Sequence, residues 1–286
     1  MPSDAATLPP PVDGPLVSAP LDPTLVGVTL VAVAASAAVA LVLVGRLRSG
    51  RPPVLWRPHP DVPWGGGDVA LVLAAYVACA TIATAWLPES PSLVGLLLAN
   101  VAATAATTLV ATVLLLRRGA DRRALGWSAA GWRDEARLAL GGLALVVAPL
   151  LALSAVLDRI VPYRHPLVDL LLVDRSVTTL AVVLVAAVVA APIAEEFFFR
   201  RVLQGWLEAR LPGDAGRGAV VVSAALFAVA HTGQGLASVP LFLLGLVLGW
   251  IARQTGSIVA CVLLHAAFNA VSVALVLLTT RPTPAA

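Results

Sequence analysis

Lysine is absent from this sequence, and charge of either sign is sparse. All 19 basic residues are arginine, they face 16 acidic residues, and charged residues make up 12% of the 286. A soluble domain carries about a quarter of its residues as Asp, Glu, Lys and Arg, so a water-soluble globular protein is excluded. Cysteine is almost missing too. Cys79 and Cys261 lie far apart in apolar runs, without C-x-x-C spacing, which excludes a disulfide framework and leaves two small buried hydrophobes. Aromatic residues are 5% of the chain and interleave with no basic stripe. Nucleic-acid binding is therefore excluded, despite a net charge of +3. The zinc-protease pattern H-E-x-x-H does not occur. Residues 1–23 hold many prolines with Asp4, Asp13 and Asp22 but no base. Such a stretch lacks the positive start of a signal peptide and reads as an uncleaved, disordered tail.

What is present is apolar surface in long runs: 59% hydrophobic residues and a mean hydropathy of +0.92. A bilayer crossing needs roughly 20 such residues as helix. The runs predict an all-α polytopic membrane protein of about eight transmembrane helices around a buried chamber. The expected spans are Leu25–Val44, Val69–Leu87, Leu93–Leu116, Leu138–Leu157, Val177 to about Leu211, Gly218–His231, Leu236–Ala252 and Ile258–Leu278. Residues 24–176 form an N-terminal four-helix region, with an arginine-rich interfacial segment at 117–137 whose apolar residues suit a surface helix. Residues 177–280 form a second membrane core. Fifteen of the 19 arginines fall in loops after odd-numbered spans, so both termini are expected outside the cytoplasm and the chain in the cell membrane. Trp56, Trp64, Trp86, Trp127 and Trp132 sit near span ends, the place of interfacial anchors. Gly245 and Gly249, four apart, suit close helix packing.

Two adjacent carboxylates, Glu195 and Glu196, interrupt the fifth apolar run. One ionised group near the bilayer centre costs about 2.5–3.5 kcal/mol, so such residues are rare and mark function. Glu196 and Arg200 are four apart with the acid first, the favourable order for an ion pair on one helix face. The neighbouring Glu195 points about 100° away, toward the face of Phe199 and Val202. One acid is thus neutralised while the other meets a pocket, the arrangement that separates a base from its structural partner. Arg200 and Arg201 could also reach out to the interface. His231 follows Phe227 by four, and His265 precedes Asn269 by four, so each polar group has a same-face neighbour. For His231 and Glu195 to meet at one depth, the fifth helix must continue past Arg200.

Glu195-Glu196-x-x-x-Arg200, Phe227-x-x-x-His231 and His265-x-x-x-Asn269 together resemble the three-motif signature of the CPBP intramembrane proteases. That family includes Rce-type CAAX prenyl endopeptidases and bacteriocin-processing and immunity proteins. The resemblance covers roughly residues 177–275. Arg201 departs from it, standing where many relatives carry glycine, which bears on local packing or substrate access. The resemblance implies an intramembrane endopeptidase in which Glu195 activates water and His231 holds and polarises that water. His265 and Asn269 would donate to the oxyanion, with Glu196, Arg200 and Phe227 in support. It implies no cofactor; a zinc set of Glu195, His231 and His265 is the alternative. The expected partners are a peptide or protein substrate, C-terminal or membrane-associated, and the lipid bilayer. The chamber is expected to open to the cytoplasmic leaflet. A catalytically idle membrane scaffold or immunity protein and a proton or metal relay are the competing readings.

Overall fold

In the computed structural model, the described residues are 23–57, 61–127, 131–163, 165–211 and 216–280. Residues 1–22, His59, Arg164, the stop sequence Pro212-Gly213-Asp214 and the tail from Arg281 lie outside them. All regular structure described is helical. The helices are α1 (Pro23–Arg48), α2 (Gly66–Ala85), α3 (Leu93–Arg117), α4 (Trp132–Ile160), α5 (Pro166–Val173), α6 (Val177–Arg210), α7 (Gly216–Ala230), α8 (Ser238–Thr255) and α9 (Val259–Thr279). Seven helical segments are long and apolar enough to cross a membrane, close to the eight expected.

The exceptions to that count are α5 and α7. α7, the expected sixth span, has 15 residues and reaches only about 22 Å at 1.5 Å per residue, short of the ~30 Å hydrocarbon core. It pairs with α8 through close backbone approach. Gly245 faces Ala224 and Phe227 of α7, while Gly249 faces Val220 of α7 and Gln204 of α6. α5 was not foreseen. It forms in the connector because His165 caps it, Nδ1 accepting from Leu167 N–H at 3.1 Å, and Pro166 starts it.

Over residues 118–127 the arginine-rich stretch after α3 forms turns rather than helix, and its residues 132–137 begin α4. It turns at Gly119 and Gly126, both at positive φ (89° and 78°), a backbone that ends a right-handed helix. Ala120, Ala124 and Leu125 are buried there, and Ile258 N–H donates to Gly126 C=O at 3.0 Å. The segment is therefore packed into the bundle. Trp64 and Trp127 likewise differ from the anchors expected. Trp64 is buried and donates from Nε1 to Val202 C=O at 3.0 Å, while Trp127 stacks on Phe197. Trp56, Trp86 and Trp132 are exposed.

α6 carries the acidic pair, and its 34-residue span does continue past Arg200. It is not a uniform helix. Two stretches, Val185–Ala190 and Glu196–Leu203, widen to π-helical turns, the local form often found at functional sites. Pro192 supplies the reason for the first. Ala191 N–H bonds back five residues to Ala186 C=O; the next such bond would come from residue 192, which as proline has no N–H. The Ala187 carbonyl is left for another donor.

Candidate active site

That donor is Asn269 on α9, whose Nδ2 reaches Ala187 C=O at 2.8 Å. One turn earlier on α9, His265 is buried and its Nδ1 lies 2.9 Å from Glu196 Oε1. The second oxygen of Glu196 accepts from Arg200 Nε at 2.9 Å, with both side chains fully buried. Arg200 also donates to Ser223 of α7 at 3.3 Å, and Ser223 donates to Phe199 C=O at 2.7 Å. The Arg200 guanidinium lies 4.8 Å from the Phe227 ring centre, a desolvated cation–π contact. The i,i+4 pairing of Glu196 and Arg200 is as expected. The arginines do not extend to the interface; both are buried.

Glu195 is placed differently from its neighbour. Its side chain keeps 26% exposure where Glu196 has none. Oε1 lies 3.9 Å from His231 Nε2, and Oε2 lies 3.8 Å from His265 Nε2. These separations exceed a direct hydrogen bond and leave room for a water beside each pair. The orientation of both rings is set from behind. His231 Nδ1 lies 2.7 Å from Phe227 C=O, and because a carbonyl only accepts, Nδ1 carries a proton there. The other ring nitrogen, Nε2, then faces Glu195. His265 is held the same way by Glu196. Phe227 touches both rings, with centroids at 4.7 Å and 5.9 Å. Glu195, Glu196, Arg200, Phe227, His231 and His265 thus form one cluster, and Asn269 flanks it through Ala187. Val202, grouped with Glu195 by spacing, instead packs in the core near Trp64, because the π turns rotate it away.

A cavity of about 480 Å³ opens on Glu195 and His231 between α6, α2 and α3. Its remaining polar lining was missed by sequence reasoning: Tyr76, Asn100, Thr104, Thr107, Thr108 and Gln234. A signal existed, since Asn100, Thr104, Thr107 and Thr108 mark one face of an apolar span at helical spacing. Each threonine hydroxyl bonds back to a carbonyl four residues earlier, at 2.5, 2.8 and 2.8 Å. The stripe from Asn100 to Thr108 covers about 12 Å of helix. Arg201 points away from this cavity. It donates to Ala124 C=O, packs on Gly126 and lies 5.8 Å from the Trp64 ring. The departure at this position therefore belongs to packing.

Fold and site define a multi-pass helical membrane protein with a buried carboxylate–histidine centre beside a lined cavity. Residues 177–271 match the family model described as type II CAAX prenyl endopeptidase Rce1-like. Over these residues, about a third of the chain, it is similar to that family, which is a family of proteases. No curated protein and no solved structure matches the chain.

Proposed function

We propose that the chain is an intramembrane endopeptidase in which Glu195 activates water without a metal. The observation that carries this is the convergence of two histidine Nε2 atoms on Glu195, at 3.8 and 3.9 Å, at the wall of a 480 Å³ cavity. Glu195 takes a proton from a water that the His231 Nε2 lone pair accepts from and holds. The resulting hydroxide attacks the scissile carbonyl carbon. The oxyanion receives the free N–H of the Asn269 amide and an N–H from His265 Nε2 when that ring carries both protons, its charge offset by Glu196. Collapse breaks the C–N bond, and the proton held by Glu195 passes to the leaving amine. Donors fixed in a dry cavity are worth more than in water, and a positioned base contributes about 10²–10⁴-fold.

The substrate is a peptide or membrane-associated protein segment, extended along α3. Asn100 and Gln234 offer carboxamides that match a peptide backbone in both donor and acceptor. Both termini lie outside the cytoplasm on this reading, with the arginine-rich ends of the helices inside, and the cavity opens toward the cytoplasmic leaflet.

Zinc held by Glu195, His231 and His265 is the second reading, because Nδ1 partners that orient both rings also suit metal ligands. The test is cleavage of a quenched peptide library by purified protein, wild type beside Glu195→Ala, with and without EDTA. Cleavage that Glu195→Ala abolishes and EDTA spares supports the metal-free base. Loss in EDTA with rescue by zinc moves the same residues to a metalloprotease. If Glu195→Ala cleaves like wild type, the assignment of Glu195 fails.

A further inference from the structure

On the other side of the bundle a second cavity, of about 490 Å³, lies between α1, α4, α7 and α8. It shares no lining residue with the catalytic chamber. It collects the last turns of α1, the Pro53-Val54 loop, the first turns of α4 and α7 and the end of α8. All of these lie at the same, arginine-rich end of the bundle. The walls are apolar, with Leu43, Leu145, Val221, Val247 and Trp250 among them, and two charged side chains join the lining, Arg137 and Arg217.

The floor is open space and not packing. A Cβ on Gly141 would meet nothing within 4 Å, whereas one on the adjacent Gly142 would strike Leu264 of α9. Gly142 therefore closes the α4–α9 contact, and Gly141 leaves the cavity free. Arg137 has an ion pair with Asp134 at 3.2 Å, with both side chains mostly exposed; such a surface pair is weak and readily exchanged. The chemistry of the lining is that of an amphiphile's counterpart: an apolar trough with cations at its polar end. Basic pockets between membrane helices at this level receive acidic lipid headgroups.

We propose that this groove is a binding site for an anionic phospholipid, its phosphate on Arg137 and Arg217 and its acyl chains in the trough along α1 and α8. The site is independent of the peptidase reading. α1 already packs on α4, where Ser36 Oγ donates to Ala144 C=O at 2.5 Å, and a lipid seated there adds a bridge from α1 to α8.

The test uses the full-length protein in a neutral detergent, with lipid retention read by native mass spectrometry. The lipid probes are dioleoyl phosphatidylglycerol and dioleoyl phosphatidylcholine, and glycerol 3-phosphate serves as the headgroup alone. Wild type is expected to retain phosphatidylglycerol about 10–30-fold more tightly than phosphatidylcholine, the discrimination two surface arginines supply. The double variant Arg137→Gln/Arg217→Gln should lose that preference while retaining phosphatidylcholine. Gly141→Leu should weaken both lipids, and glycerol 3-phosphate should not be retained. Equal retention of the two lipids by wild type overturns the proposal, as does a preference that the double variant keeps. Retention of glycerol 3-phosphate as tight as that of the lipid would reassign the arginines to free phosphate. A lipid-free dimer abolished by Gly141→Leu would assign the groove to a second copy and also overturn it. If Gly141→Leu does not fold, the arginine variants decide alone.

Discussion

Glu195 and Glu196 are chemically identical neighbours, and their surroundings divide the work between them. Glu196 has no exposed surface and spends both oxygens on Arg200 and His265; Glu195 faces the cavity across from two imidazoles. Glu195→Gln is expected to lower kcat by about 10²–10⁴-fold with little change in melting temperature. Glu196→Gln should lower stability as well as activity, because it leaves the buried Arg200 charge without its counter-ion and loosens His265. Removing one partner of a buried pair costs about 3–5 kcal/mol, so thermal unfolding should shift strongly downward. Equal melting temperatures for the two variants would contradict this division of roles.

At the scale of the element, α6 is a membrane helix whose irregularity frees a carbonyl for a neighbouring helix. Pro192 withholds the N–H that would close a π turn on Ala187, and Asn269 takes that carbonyl instead. Pro192→Ala restores an N–H that competes with Asn269. The expected result is a kcat lower by roughly tenfold to a hundredfold, the scale of a small misplacement in an active site, with melting temperature held or raised. Single-turnover cleavage beside a melting curve separates the two effects. The α7–α8 contact is as exacting. A Cβ on Gly249 would meet Gln204 Oε1 at 2.8 Å and Val220 Cγ1 at 2.9 Å, so Gly249→Ala should cost about 1–3 kcal/mol through overpacking, read by thermal unfolding in detergent.

At the scale of the whole molecule, one buried carboxylate joins the arginine-rich end. Glu135, with no exposed surface, accepts from Arg57 at 2.7 Å, Ser257 at 3.3 Å and the Ala260 N–H at 3.1 Å. It thereby ties the loop after α1, the first turn of α4 and the start of α9. Glu135→Ala should destabilise the bundle by about 3 kcal/mol or more, seen as a lower melting temperature, while leaving cleavage at low temperature near wild type. At the opposite end, burial, followed by the nearby His231, holds His165 below its ordinary value of 6.5. Its Nδ1 caps α5 only when unprotonated. The unfolded chain therefore binds the proton more readily, so this contribution is present above about pH 6.5 and fades as pH falls below it. Melting curves across pH 5 to 8 should show a rise with pH that His165→Ala reduces.

Much of this was legible in the chain itself, because a bilayer makes sequence unusually explicit. Apolar runs of span length mark the helices, and polar groups inside them are costly enough to mark a site. The four-residue spacings of Glu196 with Arg200, Phe227 with His231 and His265 with Asn269 fall on one helix face by geometry alone. What spacing within a helix could not supply was contact between helices. That Glu196 orients His265, that Ser223 joins Arg200, and that Asn100 and Gln234 share the cavity with Glu195 depend on how α3, α6, α7 and α9 pack. The turns at 118–126, the burial of Trp64 and the inward course of Arg201 were misread for the same reason. Residues that look interfacial by their position in the chain were enclosed by neighbours distant in sequence, and only the tertiary structure brings those neighbours to them.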